Sequence, residues 1–345
     1  MANTFSIIRR LGGFHLLGAW LKLGIGGKVF RRFCQGLLKG KSIRDIYNDT
    51  QIDAGQAIRE RFRPLMVSSL ATYSDANMEK KRTDIVWVCW IQGMENAPDV
   101  VQACYSSMMR NLVGKEIRVV DDKNRRQYVQ LPEFIEDRWR KKQIPPAHFS
   151  DLLRMELLIR YGGTWIDSTV LCTGADYPKG FLDSDLFFFQ YKRSASAPFA
   201  GISNWFITAC SNNPLLLTLR DMLFAYWQEF RSLPEYFIFH LFFGMIAVEC
   251  PAEVMAMPYG FSPECHVLQR HWGEPFDQAK WNQLLARVKF HKLTYRKESE
   301  LASTPGNYYS HVIEEFRSVS SETGYALGDQ VTERTKPGQN IYDRE

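Results

Sequence analysis

The sequence lacks an apolar stretch long enough to cross a membrane. The late apolar run at residues 236–250 falls short of the roughly 18 residues that a span needs, and it contains His240. The apolar stretch near the N-terminus is interrupted by Lys22 and by several glycines. We therefore expect no membrane-spanning helix, and we expect the late run to form a buried helix.

Paired cysteines and glycine-rich phosphate loops are also missing. The chain has seven cysteines without paired spacing, which favours a reducing compartment and argues against both a disulfide framework and a zinc site. No internal repeat is present. The absence of a Gly-rich loop argues against a nucleotidyl or sugar-phosphate transferase.

Acidic residues are absent from residues 1–44, which contain nine basic residues. Because the whole chain carries +5, the remaining residues sum to −4. The basic residues alternate with large apolar ones, a pattern that suits an anionic membrane surface, and no nucleic-acid motif follows. We expect a cytoplasmic protein held peripherally at the inner face of the cell membrane, with no nucleic-acid partner. The apolar residues of this segment are Phe5, Ile7, Ile8, Leu11, Phe14, Leu16, Leu17, Trp20, Leu21 and Phe30.

A change of composition near residue 80 predicts the domain organisation. The 345 residues and 45% hydrophobic content are ample for a packed core. The polar segment 73–84 precedes a strongly apolar one. We predict a basic, helical, membrane-facing extension at 1–80, a main domain at 81–315 and a polar tail at 316–345.

The main domain begins with a pattern typical of an α/β fold. Residues 84–93 form a continuous apolar and β-branched run, as expected for a strand buried on both faces of a parallel sheet. Pro98 precedes a predicted helix at 99–112, and 116–122 is a second predicted strand. Ligands bind such sheets at the carboxyl ends of their strands. Further elements are predicted as strands at 185–192 and 204–211, and as helices at 132–142, from Pro214 and from Tyr236.

The stretch HFSDLLRMELLIRYGGTWIDSTV, residues 148–170, is apolar yet carries several charges. Ser150 predicts an N-cap and Gly162 the end of a buried helix. Asp151 and Arg154 then lie three apart on its first turn, while Glu156 and Arg160 are spaced to pair with each other. A single strand at 164–171 is expected to follow the helix.

Within that strand, Asp167 would share one face with Trp165 and Thr169. A bare acid in a sheet is unfavourable unless it is paired or bound to a cation. Asp151, Arg154 and Asp167 are therefore either a buried salt-bridge cluster or a functional site.

The segment SDLLRMELLIRYGGTWID resembles the SDxxR…YGGxYxDxD signature of glycosyltransferase family 32. The segments at 86–98, 147–154, 203–209 and 291–297 resemble its bacterial capsular polysaccharide synthesis branch, so the resemblance covers roughly residues 80–300. It implies a GT-A fold, a Rossmann-like mixed α/β sheet flanked by helices, here with a helical N-terminal extension. It also implies a retaining glycosyltransferase that moves a hexose from a nucleotide-sugar donor, a UDP-sugar, to a saccharide acceptor.

We expect this acceptor to be lipid-linked and the reaction to belong to capsular or other surface polysaccharide synthesis. The alternative is a non-catalytic nucleotide-sugar-binding or scaffolding protein with a degenerate metal site. Donor turnover in a hydrolysis assay separates the two.

The resemblance assigns the donor-binding residues. Trp90 matches the tryptophan whose ring stacks on the nucleobase, a role suited to a flat aromatic plane; ordinary core packing is its alternative. Asp151 matches the acid that accepts hydrogen bonds from ribose or sugar hydroxyls. Arg154 matches the arginine that grips the sugar ring and its phosphate side, because its rigid fork gives paired, charge-assisted bonds.

The resemblance also implies a divalent metal, Mn²⁺ or Mg²⁺, held against the diphosphate. Asp167 matches the first acid of the Asp-x-Asp motif, but Thr169 stands where the second acid is expected, an Asp-x-Thr that the capsular branch commonly shows. His291 is a candidate further metal ligand, with ordinary packing as its alternative. Lys292 or Lys297 is a candidate phosphate contact.

Three other residues are candidates near the donor or acceptor. Asn204 and Trp205 match a strand near the acceptor side, where Trp205 either stacks on a sugar or packs in the core. His148 either borders the donor site or shapes the entry of the helix.

Overall fold

The computed structural model describes residues 13–191, 201–296 and 298–317. Lys297 and nearly all of the predicted tail at 316–345 lie outside the described residues, as does the start of the basic segment. Within these ranges the helices are α1 (Gly13–Lys22), α2 (Gly26–Leu38), α3 (Ile43–Asp75), α4 (Asp99–Asn111), α5 (Arg125–Tyr128), α6 (Glu133–Arg140), α7 (Pro146–Tyr161), α8 (Pro214–Glu229), α9 (Ile238–Glu249), α10 (Pro251–Ala256), α11 (Ser262–Cys265), α12 (Val267–Arg270), α13 (Gln278–Arg287), α14 (Glu298–Ala302) and α15 (Tyr308–Arg317).

The strands form one larger and one smaller sheet. They are β1 (Ile85–Cys89), β2 (Glu116–Val120), β3 (Gly163–Ile166), β4 (Val170–Cys172), β5 (Leu186–Gln190), β6 (Ile202–Ala209) and β7 (Phe290–Lys292).

The main sheet has the order β2-β1-β3-β6-β5. Strand β1 is parallel to both β2 and β3, whereas β6 runs antiparallel to β3 and β5. Residues 85–88 are all buried, as the unbroken apolar run predicts for a strand covered on both faces. This mixed sheet, flanked by helices and preceded by a helical region, confirms the expected α/β fold class.

The chain leaves the main sheet at Asp167. Strand β3 ends at Ile166, residues 167–169 form a turn, and β4 begins at Val170 in a second sheet, where it pairs antiparallel with β7. The prediction of one continuous strand at 164–171 is therefore wrong. The three polar residues at 167–169 interrupt the apolar pattern, but a strand with one solvent-facing side also carries polar residues, so the sequence does not show that the chain changes sheet here.

Helix α7 begins five residues earlier than expected. Pro146 is its first residue and Pro145 its N-cap, because the fixed φ of proline suits the first helical position. The prediction of Ser150 as N-cap is wrong, and Asp151 lies in the second turn. The predicted end is confirmed, since Gly162 follows the helix with a φ of 70°, a conformation that glycine adopts readily.

The charged pair expected within α7 does not form. Glu156 lies 3.5 Å from Arg220 of α8, and Arg160 places its guanidinium 5.4 Å from the ring centroid of Tyr161. Glu156 therefore forms an ion pair between α7 and α8 and does not stabilise a turn within α7.

The three N-terminal helices pack on the rest of the molecule. Phe62 and Met66 of α3 belong to the same core as the residues of α8 and α9, and Ala19 of α1 joins that core. The boundary near residue 80 stays a prediction. Among the described residues, no helix is both long enough and apolar enough to cross a membrane.

Part of the basic charge in this region is compensated. Arg32 donates two hydrogen bonds to Asp53 of α3, and Lys41 donates to Asp49 at 2.8 Å. Lys22 reaches the backbone carbonyl of Glu229 at 2.9 Å. The acids that pair with this segment lie in the next helix, beyond the acid-free stretch.

Candidate functional site

The predicted site residues meet at the carboxyl edge of the main sheet. Because β1 and β3 are parallel, Trp90 and Asp167 follow their strands at the same edge. Antiparallel β6 begins at this edge and brings Asn204 to it. Such an edge, where neighbouring strands connect in opposite directions, is where α/β proteins bind ligands.

The inner half of the site consists of His148, Asp151 and Arg154 of α7, all nearly fully buried. Arg154 Nη2 lies 3.4 Å from Asp151 and 3.5 Å from Asp167. Asn204 donates a 2.8 Å hydrogen bond to Asp151. One arginine thus holds both predicted acids.

Every nitrogen of the Arg154 guanidinium has a partner inside the protein. Nε donates to the backbone carbonyl of Ser150 at 3.2 Å and Nη2 to its hydroxyl at 3.0 Å, while Nη1 donates to the carbonyl of Asn204. The guanidinium also lies 4.7 Å from the ring centroid of Trp165. These contacts fix the position of the charge beside Asp167.

Burial shifts the protonation of the inner half. It raises the pKa of Asp151 to about 6, against the attraction of Arg154. Burial also lowers the pKa of His148 to about 4, and the nearby Arg154 adds to that effect. His148 is therefore neutral at pH 7, and it packs edge-on against Tyr236 with ring centroids 5.3 Å apart.

The outer half of the site consists of Asp167, Thr169 and Lys292. Lys292 Nζ donates to Thr169 Oγ1 at 2.5 Å and lies 3.6 Å from Asp167 Oδ2. Asp167 also accepts a 2.9 Å hydrogen bond from the indole of Trp165. Its side chain is 26% exposed and that of Lys292 18%, so this half is open to a ligand while the inner half is not.

The pairing of β4 with β7 sets this arrangement. Val170 is opposite Lys292, and the backbone of Leu293 donates to the carbonyl of Thr169 at 2.8 Å. Because neighbouring side chains on a strand point to opposite faces, His291 points away from the turn. It is fully buried and lies 3.2 Å from the hydroxyl of Thr173.

The expected metal ligands do not come together. His291 does not accompany Asp167, and burial lowers its pKa to about 4. Asp167 faces two cations, and the hydroxyl of Thr169 accepts from Lys292. In the described part of the chain, no group of three His, Cys, Asp or Glu side chains is placed to hold a metal ion. One carboxylate between two cations does not fit the oxygen-rich donor set that Mn²⁺ or Mg²⁺ requires, and we correct the expectation accordingly.

Trp90 and Trp87 lie in different surroundings. Trp90 is half-buried and meets the ring of Tyr295 edge-on at 5.4 Å. Its buried indole nitrogen has no hydrogen-bond partner among the residues that the structure describes. Trp87 is fully buried and donates to the carbonyl of Gly162 at 3.0 Å. Trp90 therefore borders the edge, whereas Trp87 is a core residue.

Trp205 belongs to the core and Asn204 to the site. Trp205 is 5% exposed and stacks on Phe189 with centroids 4.7 Å apart and planes at 18°. Trp205 therefore packs in the core, the second of its two predicted roles. Asn204 connects β6 to Asp151 through its hydrogen bond.

A cavity of about 750 Å³ opens at the opposite edge of the sheet. It is lined by residues 184–186 at the start of β5 and 213–215 at the start of α8. Since Leu186 is opposite Ala209 at the far end of β6, this cavity is remote from Asp167 and contains none of the predicted site residues.

Sequence reasoning missed Tyr295 as a neighbour of the site, and it missed the contact between Lys292 and Thr169. Tyr295 pairs with Trp90, and Lys292 bridges toward Thr169. The segment 290–297 made Lys292 a candidate phosphate contact, but it did not indicate that this lysine meets Thr169. The contact becomes recognisable only from the pairing of β4 with β7, which places Lys292 opposite Val170 and beside the preceding Thr169.

Fold and edge together define an α/β protein with a candidate ligand site at the carboxyl ends of its parallel strands. The family described as capsular polysaccharide synthesis protein matches residues 38–312, and the chain belongs to that family. This confirms the branch that the sequence motifs resemble, and the match includes α3.

Two further proteins are similar to the chain. A protein of Aspergillus fumigatus (strain CBS 144.89 / FGSC A1163 / CEA10), named glycosyltransferase afumC, is 30% identical over 128 residues, 33% of this chain and 33% of that protein. The alignment thus spans about a third of the relative's length. The solved PaToxG glycosyltransferase is 14% identical, with a TM-score of 0.36, over 77% of this chain and 96% of that one.

Proposed function

We propose that the protein is a glycosyltransferase that binds a nucleotide-sugar donor at the carboxyl edge of its main sheet. The observation that carries the proposal is the placement of an accessible aromatic residue, Trp90, and an accessible acid, Asp167, after parallel neighbouring strands. Membership of the capsular polysaccharide synthesis family supports it.

In this proposal the donor base stacks beside Trp90 and Tyr295, because an aromatic plane accepts any nucleobase. The sugar and diphosphate extend toward Asp167. Asp151 and Arg154 are too deeply buried to enclose a ligand, so we assign to them the positioning of Asp167. The resemblance implied that both residues contact the donor directly, and in this proposal they act on it through Asp167.

The proposed reaction is a retaining transfer of a hexose to a saccharide acceptor in capsular or other surface polysaccharide synthesis. The bond between the sugar C1 and the diphosphate oxygen breaks, and a bond from C1 to the acceptor oxygen forms on the same face. The departing nucleoside diphosphate takes up the proton of the acceptor hydroxyl. Hydrogen bonding and charge from the protein stabilise the negative charge on the leaving group.

A thermal-shift screen tests donor binding. UDP-, GDP- and CMP-sugars are added to the full chain, and any ligand that raises the melting temperature enters a hydrolysis assay. We expect one class to bind and to be hydrolysed slowly without acceptor. Binding without turnover, also in the presence of saccharide acceptors, would favour the non-catalytic alternative, and the absence of any binding would refute the donor site.

We also propose that the N-terminal helices hold the protein at an anionic membrane beside a lipid-linked acceptor. Leu21, Phe30, Leu37 and Leu38 are 60–88% exposed, and basic residues surround them in α1 and α2. Apolar side chains that enter the headgroup layer, together with lysines and arginines above it, bind anionic bilayers.

Vesicle sedimentation tests this surface. Phe30→Glu/Leu38→Glu should release the protein from vesicles that contain phosphatidylserine, because two apolar anchors become acids. The matched control is Val113→Glu/Val248→Glu, at sites that are 80% and 74% exposed elsewhere on the molecule. Equal sedimentation of both double variants would place the membrane contact elsewhere.

A further inference from the structure

We propose that Lys292 binds the diphosphate of the donor directly and takes the place expected for a divalent metal ion. The inference rests on the proposed function and concerns its outer half. It starts from the one departure of this sequence from the Asp-x-Asp pattern, which is Thr169.

The structure gives this departure a partner. The hydroxyl of Thr169 accepts a hydrogen bond from Lys292 Nζ at 2.5 Å. A carboxylate at this position would offer a second, negatively charged metal ligand, whereas the hydroxyl is neutral and its oxygen accepts from the lysine. Thr169 and Lys292 therefore form a unit in which the positive charge belongs to the protein.

The backbone holds this charge in place. Lys292 is the last residue of β7 and is paired with Val170, immediately after the turn that carries Asp167 and Thr169. Its Nζ also lies 3.5 Å from the carbonyl of Leu293. A cation fixed on a paired strand needs little reorganisation when charge develops on a leaving group, which is the condition for effective electrostatic stabilisation.

The contact between Lys292 and Asp167 leaves room for an anion. At 3.6 Å it is an ion pair that is longer than a hydrogen bond. An ammonium group has three N–H donors, and within the described part of the chain the short hydrogen bond of this one goes to Thr169, with a longer contact to the carbonyl of Leu293. With both side chains partly exposed, a phosphate oxygen can take up a further donor from the open side.

The same charges oppose a metal ion. A divalent cation bound to Asp167 would lie within a few ångströms of both Lys292 and Arg154, and like charges at that distance repel strongly in a partly buried site. The lysine ammonium is a point charge that binds phosphate well. The arrangement therefore favours an anion at this position over a second cation.

Titration calorimetry of the full chain with UDP, GDP and their monophosphates tests this role. Wild-type protein should bind its nucleoside diphosphate with the same affinity in EDTA as in Mn²⁺. Lys292→Met, which keeps length and removes charge, should weaken the diphosphate at least about tenfold while changing the monophosphate by less than about threefold. Lys289→Met is the matched control: Lys289 has the same 18% exposure but pairs with Asp176, and its loss should change neither affinity.

A second variant gives the test a gain of function. Thr169→Asp combined with Lys292→Met restores a two-acid motif without the competing cation, and it should recover diphosphate binding in Mn²⁺ but not in EDTA. The inference fails if EDTA abolishes binding to the wild type, a result that does not depend on the folding of any variant. Equal weakening of diphosphate and monophosphate by Lys292→Met would also overturn it. If no nucleotide binds the wild type in either buffer, the proposed function fails and the inference with it.

Discussion

The inner and outer halves of the site hold the same kinds of charged group in opposite surroundings. Asp151 and Arg154 are buried and paired with each other, Arg154 donates to further protein groups through every guanidinium nitrogen, and Asp151 accepts from Asn204, whereas Asp167 and Lys292 are partly exposed. Desolvated charges are tolerated only with complete pairing, so the inner half is committed to the protein. From this difference we infer that the buried residues position the site, while the partly exposed ones are available to a ligand.

Removal of the Asp167 charge breaks the outer half and should have the largest effect. Asp167→Asn keeps the shape of the side chain but loses the attraction to both neighbouring cations. We expect hexose transfer to fall by about 100-fold or more, with a nearly unchanged circular dichroism spectrum because the side chain is partly exposed. Asp176→Asn is the control, since it breaks a lysine pair at the other end of the small sheet. If Asp167→Asn transferred hexose at the wild-type rate, Asp167 would have no role in the reaction.

Arg154→Lys breaks the inner half. An ammonium cannot replace a fork that reaches Ser150, Asn204 and both acids. We expect the free energy of unfolding in urea to fall by about 2–3 kcal/mol, together with most of the transfer activity.

Arg220→Lys, on the partner of Glu156, is the control for Arg154. It should lower stability alone, because it lies outside the site. Full activity in Arg154→Lys would mean that Asp167 keeps its position without the guanidinium.

The pH dependence of stability sharpens the comparison through Asp151. Its pKa is raised in the folded protein, to about 6, so folding favours the protonated acid. The stabilising contribution is complete below the unfolded value near 4 and is lost as the pH rises through 6. Relative to Asp151→Asn, wild-type unfolding free energy should fall between pH 4 and 7 by about 2–3 kcal/mol.

The difference between these two proteins is the quantity to measure. The lowered pKa of His148 acts in the opposite direction over the same range, and it is present in both. If the difference in unfolding free energy between the wild type and Asp151→Asn were the same at every pH, the pKa of Asp151 would not be raised by folding.

Substitution of Trp90 has the smallest expected effect and concerns ligand binding alone. Trp90→Ala should weaken donor binding by about 1–2 kcal/mol through lost stacking and leave unfolding almost unchanged. Trp87→Ala should do the reverse, because Trp87 is fully buried and hydrogen-bonded to Gly162. Equal donor affinity in Trp90→Ala and the wild type would show that the nucleobase does not stack on Trp90.

The early elements of the main sheet could be predicted because local signals agree there. The apolar run of β1 predicts only a buried strand, and the proline before α4 predicts only the start of a helix. The start of α7 could not be decided locally, since Pro146 and Ser150 are both good start signals. The convergence of Asp151, Arg154 and Asp167 was also expected, although which of them faces solvent depends on packing that no periodicity encodes.

The outer half was harder to predict because its parts belong to different sheets. The polar segment 167–169 does not by itself show that the chain enters a second sheet, and β7 has only three residues. Whether His291 or Lys292 turns toward Thr169 depends on the register with β4, and a shift by one residue exchanges the two. That register is set by tertiary pairing across more than a hundred residues.

This long connection also has a consequence for biosynthesis. Lys292 follows Thr169 by 123 positions, and at roughly 5–20 residues per second the ribosome needs roughly 6–25 seconds to add them. The main sheet, from β1 to β6, has emerged before β7 is made. The nascent chain therefore carries Asp167 without its outer cation until nearly all of the described fold has been translated, and the contact of Lys292 with Thr169 is among the last to form.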